Sequence, residues 1–200
     1  MKKTLLIFAI SAATQVNAQL NIKSNNIYSD LSKVETGPDE VGSWESTISP
    51  NTTYAITASS TLANQGAVSY GVKNLNDAKI STAWAEGDVE YGIGTTIEFT
   101  FKEEVNVLAV QIVNGYYKTE KGFTENSRVK SMKCYLNNNL FAIIQLNDFR
   151  GLQNFPLCDT KIRKACSANF NKGDVLKFEI TDVYKGIKYK DVLITEFRLD

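Results

Sequence analysis

The chain has 200 residues, with 22 basic and 22 acidic side chains, no histidine, 43% hydrophobic positions and 22% charged ones. That composition supports one packed core, excludes disorder throughout, and lacks the basic excess that nucleic acid or an anionic membrane surface requires of a partner. Without histidine there is no histidine-based nucleophilic triad, no imidazole proton shuttle and no His-Glu-x-x-His zinc site.

Residues 1–18 have the form of a secretory signal peptide. Lys2 and Lys3 precede an apolar run from Leu5 to Ala13, and Val16-Asn17-Ala18 supplies a small-residue cleavage site. The run is roughly half of the ~20 apolar residues a spanning helix needs, so no integral membrane segment is expected there. No later stretch qualifies. The mature chain should be secreted, to the periplasm or the extracellular space, and slightly acidic once Lys2 and Lys3 are removed.

Residues 19–51 carry weak patterning. Asn, Ser, Asp and Glu dominate around Gly37-Pro38, which reads as a linker or a loosely docked N-terminal arm, with Trp44 either an anchor or a cover for a sheet edge. The arm is the candidate contact for any protein partner.

From residue 52 to 200 the chain reads as one all-β domain. Strand-like runs fall at 54–60, 95–101, 105–113, 129–136, 141–147, 152–157, 174–181 and 192–199. Leu108, Val110 and Ile112 share a parity, as do Met132, Cys134 and Leu136, and Leu176, Phe178 and Ile180, so these strands should bury one face. Asn137-Asn138-Asn139 predicts a hairpin turn, because asparagine tolerates left-handed backbone angles. Short alternating strands without a long helical run predict an antiparallel β-sandwich of jelly-roll type.

The stretch 74–87 fits neither period. Leu75, Ile80 and Trp84 are apolar anchors on a segment that must curl, and Asn74, Asp77 and Thr82 place side-chain oxygens close together along it. Inward carbonyls with a carboxylate and a hydroxyl form a hard-oxygen cage suited to Ca²⁺. The same residues also fit an Asx-type turn, in which Asp77 and Thr82 bond nearby backbone N–H groups.

Cys158 and Cys166 flank a polar loop that a disulfide could close in an oxidising compartment, or they remain unlinked thiols. Cys134 shares its strand face with Met132 and Leu136 and is expected as a small buried hydrophobe.

Asn74-Leu75-x-Asp77 with Thr82-Ala83-Trp84-x-Glu86-Gly87, then Tyr91-Gly92-x-Gly94, Asn114-Gly115-Tyr116, Asn126 with Arg128, and Thr195-Glu196 on the last strand carry a resemblance. They resemble the discoidin-like (galactose-binding-like, F5/8 type C) β-sandwich family, and within it the NADase-type glycan-binding domain. The likeness runs from about residue 54 to 200, with Ala78 standing where that group has glycine. It implies the same sandwich fold, glycan binding, and a structural Ca²⁺ held by Asp77 and Thr82 side chains, by Asn74 and Lys79 carbonyls, and by Thr195-Glu196. The parity of Ile194, Phe197 and Leu199 slips at Thr195-Glu196, as a bulge turning Glu196 toward the Asp77 loop would require.

Groups suited to a sugar gather where strands end. A tyrosine ring packs on the C–H face of a pyranose, and Asn, Lys and Arg pair with its hydroxyls, which makes Asn114, Tyr116, Lys118 and Arg128 the candidate ligand set, with Glu86 on the neighbouring loop. Structural roles compete: Arg128 could pair with Glu120 or Glu125, and Asn114 could cap its own turn. Glu103-Glu104 sit adjacent on a charged turn and fit a solvated strand end better than a glycosidase pair. The expectation is a non-catalytic carbohydrate-binding module, with a protein-interaction module and a carboxylate-pair hydrolase as rivals.

Overall fold

Period-two alternation becomes two facing sheets. The computed structural model describes residues 20–23, 25–28, 52–88, 90–157 and 167–200. The strands are β1 (Leu20–Lys23), β2 (Asn25–Tyr28), β3 (Tyr54–Ala58), β4 (Trp84–Ala85), β5 (Thr96–Phe101), β6 (Val105–Val107), β7 (Ala109–Asn114), β8 (Arg128–Leu136), β9 (Asn139–Gln145), β10 (Leu152–Pro156), β11 (Ala168–Phe170), β12 (Val175–Tyr184) and β13 (Leu193–Leu199). One sheet runs β1-β9-β8-β12-β5-β3 and the other β2-β10-β7-β13-β4, while β11 pairs β6 in a small ribbon. The fold is an antiparallel β-sandwich of jelly-roll type, to which β1 adds one parallel pairing, with β9.

Alternation places the core where the pattern predicts. In β5, Ile97, Phe99 and Phe101 are buried and the intervening residues are not; in β12, Leu176, Phe178 and Ile180 repeat the pattern. Phe99 is the hub, meeting Tyr54 at 5.3 Å, Phe178 at 5.7 Å and, across the sandwich, Phe197 at 5.1 Å, all edge-on. Such pairs each contribute about 0.5–1.5 kcal/mol beyond their buried area. Cys134 is fully buried among them, and burial pushes its thiol well above the usual range.

The turn between β8 and β9 has Asn137 and Asn138 at φ 49° and 65°, the paired left-handed angles of a two-residue hairpin loop. The run expected over 105–113 breaks at Leu108, which is 52% exposed rather than inward with Val110 and Ile112. Its carbonyl accepts from Leu157 N and its N–H donates to the Asp200 carbonyl, so the chain changes neighbours there: β6 belongs to the ribbon and β7 to the sandwich.

Two features lay outside the sequence reading. A six-residue helix, α1 (Glu120–Glu125), interrupts the β7–β8 connection, capped where Thr119 accepts from Gly122 N. And β1 and β2 lie in the stretch read as linker or arm, yet they are edge strands of opposite sheets, with Ile22 6% exposed in the core. The signal-peptide segment, Trp44, Cys158 and Cys166 lie outside the described residues.

Candidate functional site

The connection from β3 to β4 closes on itself through buried polar bonds. After Gly71 it makes one 3₁₀ helix, Val72–Asn76, with Leu75 fully buried. The Asn74 side-chain amide donates to Ser69 O at 2.7 Å and Ala83 O at 2.8 Å, drawing the two limbs together. Trp84, also fully buried, donates from Nε1 to Thr61 Oγ1. Asn74 therefore acts on this loop through its side chain.

At the loop apex an oxygen cluster forms. Thr82 Oγ1 lies 2.9 Å from both Asp77 carboxylate oxygens and 3.2 Å from the Lys79 carbonyl. The Lys79 N–H is shared between Asp77 Oδ1 and Glu196 Oε1, each at 3.1 Å. Arg198 Nη2 donates to Glu196 Oε2 at 3.0 Å. Burial pushes the Glu196 carboxyl up to about 8; Asp77 adds to the rise, while Arg198 and the Lys79 N–H oppose it.

The donor set fits a hard divalent cation. A threonine hydroxyl has one proton, and three acceptor oxygens lie within 3.2 Å of this one, so the cluster holds more oxygen than protons to bridge it. Among the described residues no group of three or more His, Cys, Asp or Glu gathers, so carbonyl and hydroxyl oxygens would have to complete the shell. The Thr195 hydroxyl is engaged elsewhere, donating to Gly115 O at 2.7 Å and accepting from Tyr117 N at 3.0 Å.

Of the ligand candidates, three are committed to the scaffold. Asn114 is fully buried and pairs with the Val129 backbone in both directions, Nδ2 to O at 2.7 Å and N to Oδ1 at 3.0 Å, rather than capping its own turn. Arg128 pairs with Asp148, not Glu120 or Glu125, through Nε to Oδ1 at 2.7 Å and Nη2 to Oδ2 at 2.8 Å. Its Nη1 donates to the Phe123 and Asn126 carbonyls and its guanidinium lies 4.9 Å over the Phe123 ring. Glu86 is fully buried, accepting from Asp88 N and Val192 N, and burial raises its carboxyl. A Cβ at Gly115, where φ is 76°, would stand 2.8 Å from both Arg128 and Phe123, so glycine lets the turn pass over this pair.

Tyr116 and Lys118 face outward at that turn. Tyr116 is half-buried, packed with Tyr70 and Leu62 over Ala83, Ala85 and Leu193. Two concavities meet along Tyr70 and Tyr116. One, about 380 Å³, is lined by Ser69, Lys73, Asp77, Lys79, Ser81 and Lys118 besides the two rings. The other, about 280 Å³, is lined by Thr119, Lys121, Glu125, Asn126, Tyr189 and Asp191. Tyr70 was missed in the sequence reading; its being the one aromatic residue between positions 59 and 83, next to Gly71, was the available signal.

A family model, the NAD glycohydrolase translocation F5/8 type C domain, matches residues 48–200. No curated protein matches the sequence. Solved structures of similar architecture include the CBM32-1 and CBM32-2 domains of ZmpB from Clostridium perfringens in complex with GalNAc. Their TM-score is 0.58 at 13% identity, covering 94% of this chain and 41% of that one. The C-terminal domain of a chitobiase from Bacteroides fragilis gives a TM-score of 0.50 at 14% identity, covering 74% of this chain and 93% of that one. At these identities the likeness is one of fold. The chain spans 41% of the length of the ZmpB chain.

Proposed function

The chain belongs to the NAD glycohydrolase translocation F5/8 type C domain family over residues 48–200, and on that premise we propose that it is an exported, non-catalytic carbohydrate-binding module. One observation carries the reading: Tyr70 and Tyr116 stand between two polar-lined concavities at the end of a rigid sandwich. Flat aromatic surface flanked by hydroxyl, amide and ammonium groups is what a pyranose needs. The ZmpB domains, which have this architecture, were solved with GalNAc bound, and that supports a sugar as the ligand class.

Binding energy comes from the rings and from Lys118, Asn126 and the surrounding hydroxyls, while Asn114, Arg128 and Glu86 hold the loops that present them. A single shallow site exchanges water hydrogen bonds for protein ones at small gain, so Kd should be about 0.1–1 mM. Ca²⁺ would be held by Asp77, Thr82 Oγ1, the Lys79 carbonyl and Glu196, with Asn74 and Thr195 carbonyls as further candidates. When bound, it supplies positive charge that ties the loop apex to β13. A glycan array probed with the mature chain, with and without chelator, tests both, and a chain that binds no glycan at high density is not a carbohydrate module.

The protein-interaction alternative keeps one specific observation. Ile187 is 83% exposed beside Tyr189, at 42%, in the connection between β12 and β13. Loss of a protein partner on Ile187→Ser, with glycan binding absent throughout, would select that reading.

A further inference from the structure

The two concavities differ in charge. Lys73, on the 3₁₀ helix, Lys79, at the loop apex, and Lys118, beyond β7, all line the larger one. None of the three makes an ion pair with a described residue, whereas Lys121 and Lys188 pair with Glu125, and Lys190 pairs with Glu90. Among the described residues Asp77 is the one carboxylate of that lining, and Thr82 and the Lys79 N–H already occupy its oxygens. Across the tyrosines, the smaller concavity carries Glu125 and Asp191, with Lys121 turned to Glu125.

Three like charges from two segments, lining one cavity with no ion-pair partner among the described residues, repel one another and add nothing to the fold. All three are exposed, so no packing need holds them there. Their field, bounded by two aromatic rings, is complementary to an anion. Lysine ammonium groups act as point charges with no fixed fork, so they suit a carboxylate or a sulfate alike. A volume of about 380 Å³ falls within the ~300–1,000 Å³ range of small-molecule sites.

We infer that the ligand is an acidic glycan: its negatively charged sugar, carboxylated or sulfated, occupies the cavity of Lys73, Lys79 and Lys118, and the adjoining neutral sugar crosses Tyr70 and Tyr116 toward Asn126 and Asp191. This rests on the carbohydrate reading above and adds the class and the polarity of the ligand. The opposite orientation would set the anion against Asp191 and Glu125.

The test is an array of matched glycans with the full chain, including lactose, 3′-sialyllactose and 3′-sulfolactose, followed by titration of the bound pairs. Expected is a preference of about fivefold or more for acidic members over their neutral counterparts, weakened at high salt. Lys73→Gln should lower that preference by about twofold or more and leave neutral binding in place. A preference for sialylated or for sulfated members alone identifies the anion. Equal binding of neutral and acidic members, or a preference unchanged by Lys73→Gln, overturns the inference while leaving the carbohydrate reading intact; binding of no glycan overturns both.

Discussion

The backbone N–H of Lys79 donates to Glu196 Oε1 at 3.1 Å, joining residues 117 positions apart. The acceptor is a carboxyl that burial pushes from 4.5 to about 8, so the folded chain binds its proton more tightly than the unfolded one. The contribution is full below about pH 4.5 and is lost as pH rises toward 8. In chelator, the melting temperature should therefore fall across that window. Added Ca²⁺ should raise it, more at pH 8 than at pH 5, because the cation favours the ionised carboxyl. Glu196→Gln should flatten the slope and remove the response; a wild-type profile indifferent to both pH and Ca²⁺ would end the cation proposal.

Ala78 has φ 60° where the family pattern has glycine. That angle costs an alanine about 1–2 kcal/mol, part of which glycine returns as extra freedom in the unfolded chain. Ala78→Gly should thus stabilise by roughly 0.5–1 kcal/mol in urea titration. No gain would mean that the apex relaxes around alanine.

Tyr116 and Arg128 should separate binding from stability. Tyr116→Ala, like Tyr70→Ala, should weaken glycan binding several-fold with little change in melting temperature. Tyr116→Phe should retain most of it, since the bond its hydroxyl donates to Ser81 O is long, at 3.5 Å. Arg128→Ala strips two carbonyls and Asp148 of their donor and should destabilise by about 2–4 kcal/mol. Thermal melts alongside titrations decide it, and an Arg128→Ala chain as stable as wild type would return Arg128 to the ligand candidates.

Asn114 joins the two sheets by hydrogen bonds, since β7 and β8 lie in different ones. Asn114→Leu fills similar space but leaves the buried Val129 N–H and C=O without this partner, which should cost about 2–3 kcal/mol. Hydrogen exchange at Val129 should speed up ahead of exchange in β12; unchanged protection would show that another group takes over the bond.

Strand positions were legible because core strands bury one face, and Phe99, Phe178 and Ile180 announce that in their spacing. Leu108 kept the parity but not the burial, since pairing with the last residue and with Leu157 is long-range information. α1 was hidden by its brevity and its internal Gly122, with only Thr119 and Glu120 signalling a helix start. The roles of Asn114, Arg128 and Glu86 were ambiguous for a different reason: the groups that pair with backbone are the groups that pair with sugar. Their composition at a strand end could not say which; the partners the structure gives them are Val129, Asp148 and Val192.

The family match begins at residue 48, but β1 and β2 come earlier and lie on opposite sheets. One residue separates them, so the chain steps from one layer to the other as a clasp. Each covers an edge, β1 that of β9 and β2 that of β10, which would otherwise offer unpaired N–H and C=O groups to any passing strand. A recombinant fragment cut at the family boundary should therefore self-associate in sedimentation while the longer chain, begun at Gln19, stays monomeric. The stretch that the family match delimits and the stretch that supplies the outermost strands of both sheets have different first residues.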